Sequence, residues 1–273
     1  MQRAHAVFTS VFSLIFTAFS LIGQEQPPAP APSPAPAVFE NLGKPILLPY
    51  TCSAEDIQWA GLSCAEDEPC AVFLELSAAE AAGNRIVVAG NLHAESVTLY
   101  SVLLVSDDDG RTWTEAFERQ RGATLDHIQL LDASTGWISG EDLFPIPQNP
   151  FLLLTTDGGK TWLRRPVLSE TAEDRFGAVQ QFVFTDKDTG TLILDRGESG
   201  AGQRYVLFHS RTGGGGWDAA EESAKPLRLK QAPPPSDWRV RVDAASRSYR
   251  VEHRQGERWT SVAAFAVNLE PCK

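Results

Sequence analysis

No run of lysines or arginines stands out in this chain of 273 residues, and its 35 acidic against 24 basic residues give a net charge of −11. That balance argues against nucleic acid and anionic membrane surfaces as partners, because the long-range field repels a polyanion. There is no Cys-x-x-Cys and no histidine at ligand spacing, so the usual frameworks of a metal site are missing. The glycine run Gly213-Gly214-Gly215-Gly216 is followed by neither Lys-Ser/Thr nor a helix, which excludes a phosphate loop. Five histidines are scattered singly: His5 lies in the amino-terminal segment, and His93, His127, His209 and His253 read as strand or loop residues. No cofactor and no metal are expected.

What is present begins with a targeting signal. Arg3 and the amino terminus supply positive charge ahead of the uncharged, largely apolar run Ala6 to Ile22, which is short for a bilayer span and suits a secretory signal. Cleavage is expected after Ala18-Phe19-Ser20 or at Gly23, and a retained segment is the only membrane contact the sequence offers. Export, to a periplasmic or extracellular space, places the four cysteines in an oxidising compartment. Four cysteines allow three pairings; we favour Cys64 with Cys70 as a local loop and Cys52 with Cys272 as a staple between the ends of the folded domain.

The expected organisation is a signal peptide over residues 1–23, a Pro/Ala-rich linker over 24–45 and one folded domain over 46–273. The low-complexity stretch at 27–37 is expected to be extended polyproline II with nothing to bury. Beyond it come short apolar or alternating runs, each ended by Gly, Asp, Asn or Ser, which read as many short strands. Short helices are expected only near Ala78 to Ala82 and Ala219 to Lys225.

A repeat narrows the architecture. Ser106-Asp107-Asp108-Asp109-Gly110-Arg111-Thr112-Trp113 and Thr155-Thr156-Asp157-Gly158-Gly159-Lys160-Thr161-Trp162 both read Ser/Thr-x-Asp-x-Gly-x-Thr-Trp. A worn copy keeps Ser210, Gly214 and Trp217, and a fourth keeps only Gly256 and Trp259. The tryptophans at 113, 162, 217 and 259 are spaced by 49, 55 and 42 residues, the period of four-stranded propeller blades. A second landmark runs in register: Asp132 precedes Trp162 by 30 residues and Asp186 precedes Trp217 by 31, whereas Asp243 precedes Trp259 by only 16. The last repeat is therefore about a strand short. We expect an all-β propeller of about four four-stranded blades, whose last blade is completed by the amino-terminal segment Ile46 to Thr51, with Cys52 and Cys272 at the seam.

Each repeated stretch is a β-hairpin with its turn chemistry written out. The Asp accepts backbone N–H bonds, Gly supplies positive φ, and the Ser or Thr hydroxyl adds a local bond, with Trp folded beneath. These residues resemble the Asp-box, or BNR, repeat of sialidases and other propellers; the stretch from Gly136-Trp137 through Trp162 is similar to a photosystem II assembly-factor-like group. The resemblance covers about residues 70 to 265. It implies a β-propeller with the boxes on its periphery, away from the central site, and implies no particular activity.

No catalytic set emerges. Sialidases clamp a carboxylate with three arginines, and Arg85-Ile86-Val87 only faintly matches the motif of the first, with Val87 in place of Pro. Arg175, Arg204 and Arg241 lack flanking motifs, and Tyr205 and Tyr249 have no assignable acidic partner. The resemblance implies six blades for a sialidase against about four here. Asp107, Asp108 and Asp109 look like a metal loop, yet Asp108 is committed to the turn. Surface remains: the acidic loop Glu66-Asp67-Glu68, an insertion over residues 141–150, and Trp59 and Trp238 outside the boxes. The expectation is an exported, non-enzymatic propeller scaffold for an unknown protein or a glycan; the alternatives are a sialidase-like glycoside hydrolase and a carbohydrate-binding protein.

Overall fold

The computed structural model describes residues 37–65, 67–94, 97–143, 146–169, 175–198, 202–268 and 272. The expected signal segment, residues 24–36 of the expected linker, and Glu66, Phe144 and Pro145 lie outside the described residues.

In chain order the elements are β1 (Val38–Glu40), β2 (Ile46–Leu48), α1 (Ala54–Ala60), β3 (Val72–Ala82), β4 (Arg85–Ala94), β5 (Val97–Ser106), β6 (Thr112–Glu115), β7 (Ile128–Leu130), β8 (Gly136–Leu143) and β9 (Pro147–Thr155). They continue as β10 (Leu163–Pro166), β11 (Ala178–Phe184), β12 (Gly190–Asp195), β13 (Tyr205–Ser210), β14 (Asp218–Ser223), β15 (Trp238–Asp243), β16 (Ser248–Gln255) and β17 (Arg258–Val267). Four sheets result, in the orders β1-β6-β5-β4-β3, β10-β9-β8-β7, β11-β12-β13-β14 and β15-β16-β17-β2. Each holds one repeat, so the chain is an all-β, propeller-like protein of four blades. The central strands β4, β5, β8 and β12 are nearly continuous buried runs, as strands covered on both faces must be.

The last blade supplies only three strands of its own, and β2 joins it parallel to β17 through Phe265–Ile46, Ala266–Leu47 and Val267–Leu48. Cys52–Cys272 and Cys64–Cys70 are the two disulfides, and Cys70 and Cys272 also bridge through their backbones. The expected closing strand and both favoured pairings are therefore observed.

Three expectations need correction. Residues 78–82 are the end of β3 and 218–223 are β14, because alanines that favour a helix locally sit there in ladders with β4 and β13; tertiary pairing overrides their propensity. The one helix among the described residues is α1, started by a capping box between Ser53 and Asp56 and stopped by Gly61 at φ 64°. The folded unit also starts earlier than residue 46, because Val38–Glu40 pair with Thr112–Thr114 on the edge of the first blade.

The core is a set of inter-blade layers. Val72, Leu92, Trp113, Val251 and Phe265 belong to a layer between the first and fourth blades. Val87, Leu103, Ile138, Leu153 and Trp162 join the first and second. Trp137, Leu152, Phe184, Leu192 and Trp217 join the second and third. The remaining cluster is different: Ile193, Tyr205 and Leu207 of the third blade meet only Leu227 and Leu229 from the connecting strap, residues 224–237. Among the described residues the order around the axis is thus fourth, first, second, third, and the third and fourth blades share no apolar layer. No helix among them is long and apolar enough to cross a membrane.

Candidate functional site

Three of the repeated turns join the third and fourth strands of a blade, β5 to β6, β9 to β10 and β13 to β14, whereas the stretch ending at Trp259 joins the second and third, β16 to β17, and so lies at the opposite end of its blade. The polar groups of the turns are consumed internally. In the first, Ser106 Oγ accepts from Gly110 N at 2.8 Å and donates to Asp108 at 2.9 Å, while Asp108 accepts from Arg111 N, Thr112 N and Thr112 Oγ1. In the second, Thr155, Asp157, Gly159 and Thr161 repeat that pattern. The backbone N–H of Thr112 in one case and the Thr161 hydroxyl in the other lead the bonds that hold Asp108 and Asp157 down to about 2. Carboxylates so committed are fixed acceptors, unsuited to proton transfer. In the third turn Ser210 Oγ still accepts from Gly214 N at 2.9 Å, with Thr212 where the Asp would be. The fourth keeps Gly256 at φ 64° and little else.

The tryptophans define what these turns are for. Trp113 donates to Gly110 O and meets Phe265 of the fourth blade edge-on at 5.0 Å. Trp162 packs into the layer with the first blade, and Trp217 into the layer with the second, where Phe184 stacks on Trp137 at 3.8 Å. Each closing tryptophan seals its blade against the preceding neighbour in the ring. Among the described residues Trp259 has no such neighbour, and it lies half-buried under the guanidinium of Arg239, 4.0 Å from its ring centre, with Arg254 at 6.0 Å.

One concavity lies among the inner strands. The inner strands β3, β7, β11 and β15, with the strap, surround a cavity of about 520 Å³ whose lining includes Glu80, His127, Gln180, Gln181, Pro234 and Trp238. Register shifts at Ser77 in β3 and Gln180 in β11 place extra residues on its wall. Most of its polar groups serve the fold. Ser77 Oγ donates to Leu125 O at 2.5 Å, and Gln129 bridges to the Phe184 backbone by two bonds of 2.8 Å. Arg239 is paired with Glu252 at 2.6 Å, and Trp238 stacks on His253 at 4.4 Å. Burial raises the Glu80 carboxyl against an opposing hydrogen bond from Ser236.

A second ionisable group lies in the second blade. Glu141 is 8% exposed, with Oε2 lacking a hydrogen-bond partner. Burial and then the charge of Asp126 push Glu141 up to about 8, and burial raises Asp126 although Thr124 Oγ1 donates to it at 2.8 Å. The sequence reading put Glu141 in an exposed insertion. Its burial comes from β8, which carries it against the backbone of Thr124, and nothing in the local pattern signals that.

The arginines that resemblance to sialidases would converge are dispersed. Arg85 pairs with Asp107 at 2.7 Å at the turn end, and Arg204 with Asp195 at 2.8 Å in the third blade. Arg241 lies on β15, and Arg175 borders a separate recess with Asp142, Phe151 and Arg164. Trp59 covers Gly122, where a Cβ would come within 2.4 Å of its ring, so it is a packing residue, whereas Trp238 does face the cavity. Among the described residues no group of three or more His, Cys, Asp or Glu is arranged to hold a metal ion.

No family model matches the chain, and no curated protein matches it. Among solved structures it is similar to the GH74 xyloglucanase from Xanthomonas campestris, at 15% identity and a TM-score of 0.40, over 69% of this chain and 28% of that one. It is also similar to YCF48 from Cyanidioschyzon merolae, at 18% identity and a TM-score of 0.35, over 71% of this chain and 56% of that one. The chain thus spans less than two thirds of either.

Proposed function

We propose that this chain is an exported Asp-box propeller that works as a non-enzymatic scaffold, binding a protein partner. The observation that carries the reading is the dispersal of its arginines: Arg85 and Arg204 are each neutralised by a carboxylate in separate blades, and Arg239 at the axis is held by Glu252 and Trp259. A carboxylate clamp needs guanidinium groups converging on one point with their forks free. The Asp-box carboxylates are likewise spent on their own turns. Two disulfides and the amino-terminal apolar run support export.

The test has two arms. Cross-linking pull-down from the native envelope is expected to capture a discrete partner, and purified protein is expected to leave a fluorogenic sialoside intact. Turnover lost in Arg85→Ala would overturn the reading.

One observation favours a glycoside hydrolase instead. A carboxyl held protonated near neutral pH beside a second carboxyl is the arrangement that acid-base hydrolysis uses, and Glu141 with Asp126 has that character. Release of reducing sugar from polysaccharides, abolished in Glu141→Gln, would support that alternative.

A further inference from the structure

Among the described residues, the fourth blade turns one face to the first blade and the other to none. On the uncovered face, β15 and β16 place Arg239, Arg241, Arg250 and Arg254 together, with Arg239 and Arg254 over the ring of Trp259. Between residues 224 and 267 there are nine Lys/Arg against four Asp/Glu, in a chain whose net charge is −11. Three of those four acids are already used, Asp237 by Arg254, Asp243 by Arg250 and Glu252 by Arg239. Among the described residues Arg241 has no carboxylate partner, and neither do Lys225, Arg228 and Lys230 on the strap. Leu227 and Leu229 anchor that strap to the third blade, so the basic side chains between and beside them are held outward.

Arg241 is also directly opposite Arg250 in the ladder. Like charges at opposed positions destabilise a sheet, and Asp243 satisfies only Arg250. The face runs at one end into a recess of about 420 Å³ lined by Lys44, Asp243, Ser246, Arg250 and Ser261, where two cations and two hydroxyls surround one carboxylate.

We propose that this face, together with the strap, docks an extended carboxylate-rich segment of a partner protein; the inference rests on the scaffold reading and gives its partner a chemistry. The size of the patch selects a segment over a surface. Three strands span roughly 10 Å, about one Debye length at physiological salt. The other residues carry 31 acids against 15 bases, the remainder when four and nine are taken from the chain's 35 and 24. A nucleic acid or an anionic bilayer laid on the patch would meet that negative surround, whereas one acidic strand would not.

The probe is a fluorescent decapeptide of glutamate, read by anisotropy against the full chain, with a glutamine decapeptide as control. The glutamate peptide is expected to bind, more weakly at physiological than at low ionic strength, and Arg241→Glu is expected to weaken it about tenfold. Arg228→Glu with Lys230→Glu is expected to do the same. Lys160→Glu, an exposed charge reversal in the second blade, is expected to leave it unchanged, and thermal melts check that the exposed variants fold. Absence of glutamate-peptide binding, equal binding of the glutamine peptide, or an equal loss in Lys160→Glu overturns the inference. So does tighter binding to phosphatidylserine vesicles or single-stranded DNA than to the peptide, or self-association abolished by Arg241→Glu. If the native-envelope partner is captured equally by wild type and Arg241→Glu, the docking surface is wrong and the scaffold reading stands. If wild type captures none, the scaffold reading itself fails.

Discussion

Trp113 follows the turn between the third and fourth strands of its blade and Trp259 the turn between the second and third, and their surroundings differ. Trp113 is fully buried between the first and fourth blades, so Trp113→Ala is expected to cost about 3–5 kcal/mol in urea denaturation. Trp259 is half-buried beneath Arg239, so Trp259→Ala is expected to cost only about 1 kcal/mol by the same measurement. Equal losses would mean that the fourth turn is sealed by a blade after all. Glu141 makes a prediction with a defined sign. Its carboxyl is raised from 4.5 to about 8 in the folded chain, so between those values the folded state holds a proton that the unfolded state has lost, and stability falls as pH rises. Glu141→Gln removes that dependence. It is expected to raise the urea midpoint more at pH 8 than at pH 5, and an equal change at both would show that the carboxyl ionises normally.

At the scale of the element, the turn glycines separate backbone demand from packing demand. Gly83 and Gly110 are both in the left-handed region, at φ 66° and 85°, but a Cβ on Gly83 meets nothing within 4 Å while one on Gly110 would lie 2.5 Å from Val262 of the fourth blade. Gly83→Ala is expected to cost about 1–2 kcal/mol of backbone strain. Gly110→Ala adds overpacking and is expected to cost roughly 2–4 kcal/mol, read by chemical denaturation. Similar losses would place the turn farther from the fourth blade than the structure has it. The turn was fully legible in the sequence because its bonds run within eight residues, from Ser106 to Trp113. The segments at 78–82 and 219–225 were misread because an alanine-rich stretch carries no local sign of the ladders with Arg85–Ala89 and with Tyr205–Phe208 that hold it extended.

Across the whole molecule, the ends of the chain are tied where the blades would otherwise come apart. Cys52–Cys272 spans 220 residues and Cys64–Cys70 spans six, so the loop entropy removed from the unfolded chain differs. Replacing Cys52 and Cys272 together by Ser is expected to cost roughly 3–5 kcal/mol, against about 2 kcal/mol for Cys64 and Cys70, in denaturant melts under oxidising conditions. The reverse order would mean that β2 holds the fourth blade without the bridge. The number of blades, the turn chemistry and the shortfall filled by β2 were determined by the sequence alone, since periodicity and local hydrogen-bonding residues fix them. Only the tertiary structure decided the rest: that Glu141 is buried beside Asp126, that Arg85, Arg175, Arg204 and Arg241 stay apart from one another, and that among the described residues the fourth blade leaves an arginine-lined face uncovered. Those features depend on which blades meet, and residues as far apart as Trp113 and Phe265 become neighbours only when the sheets pack.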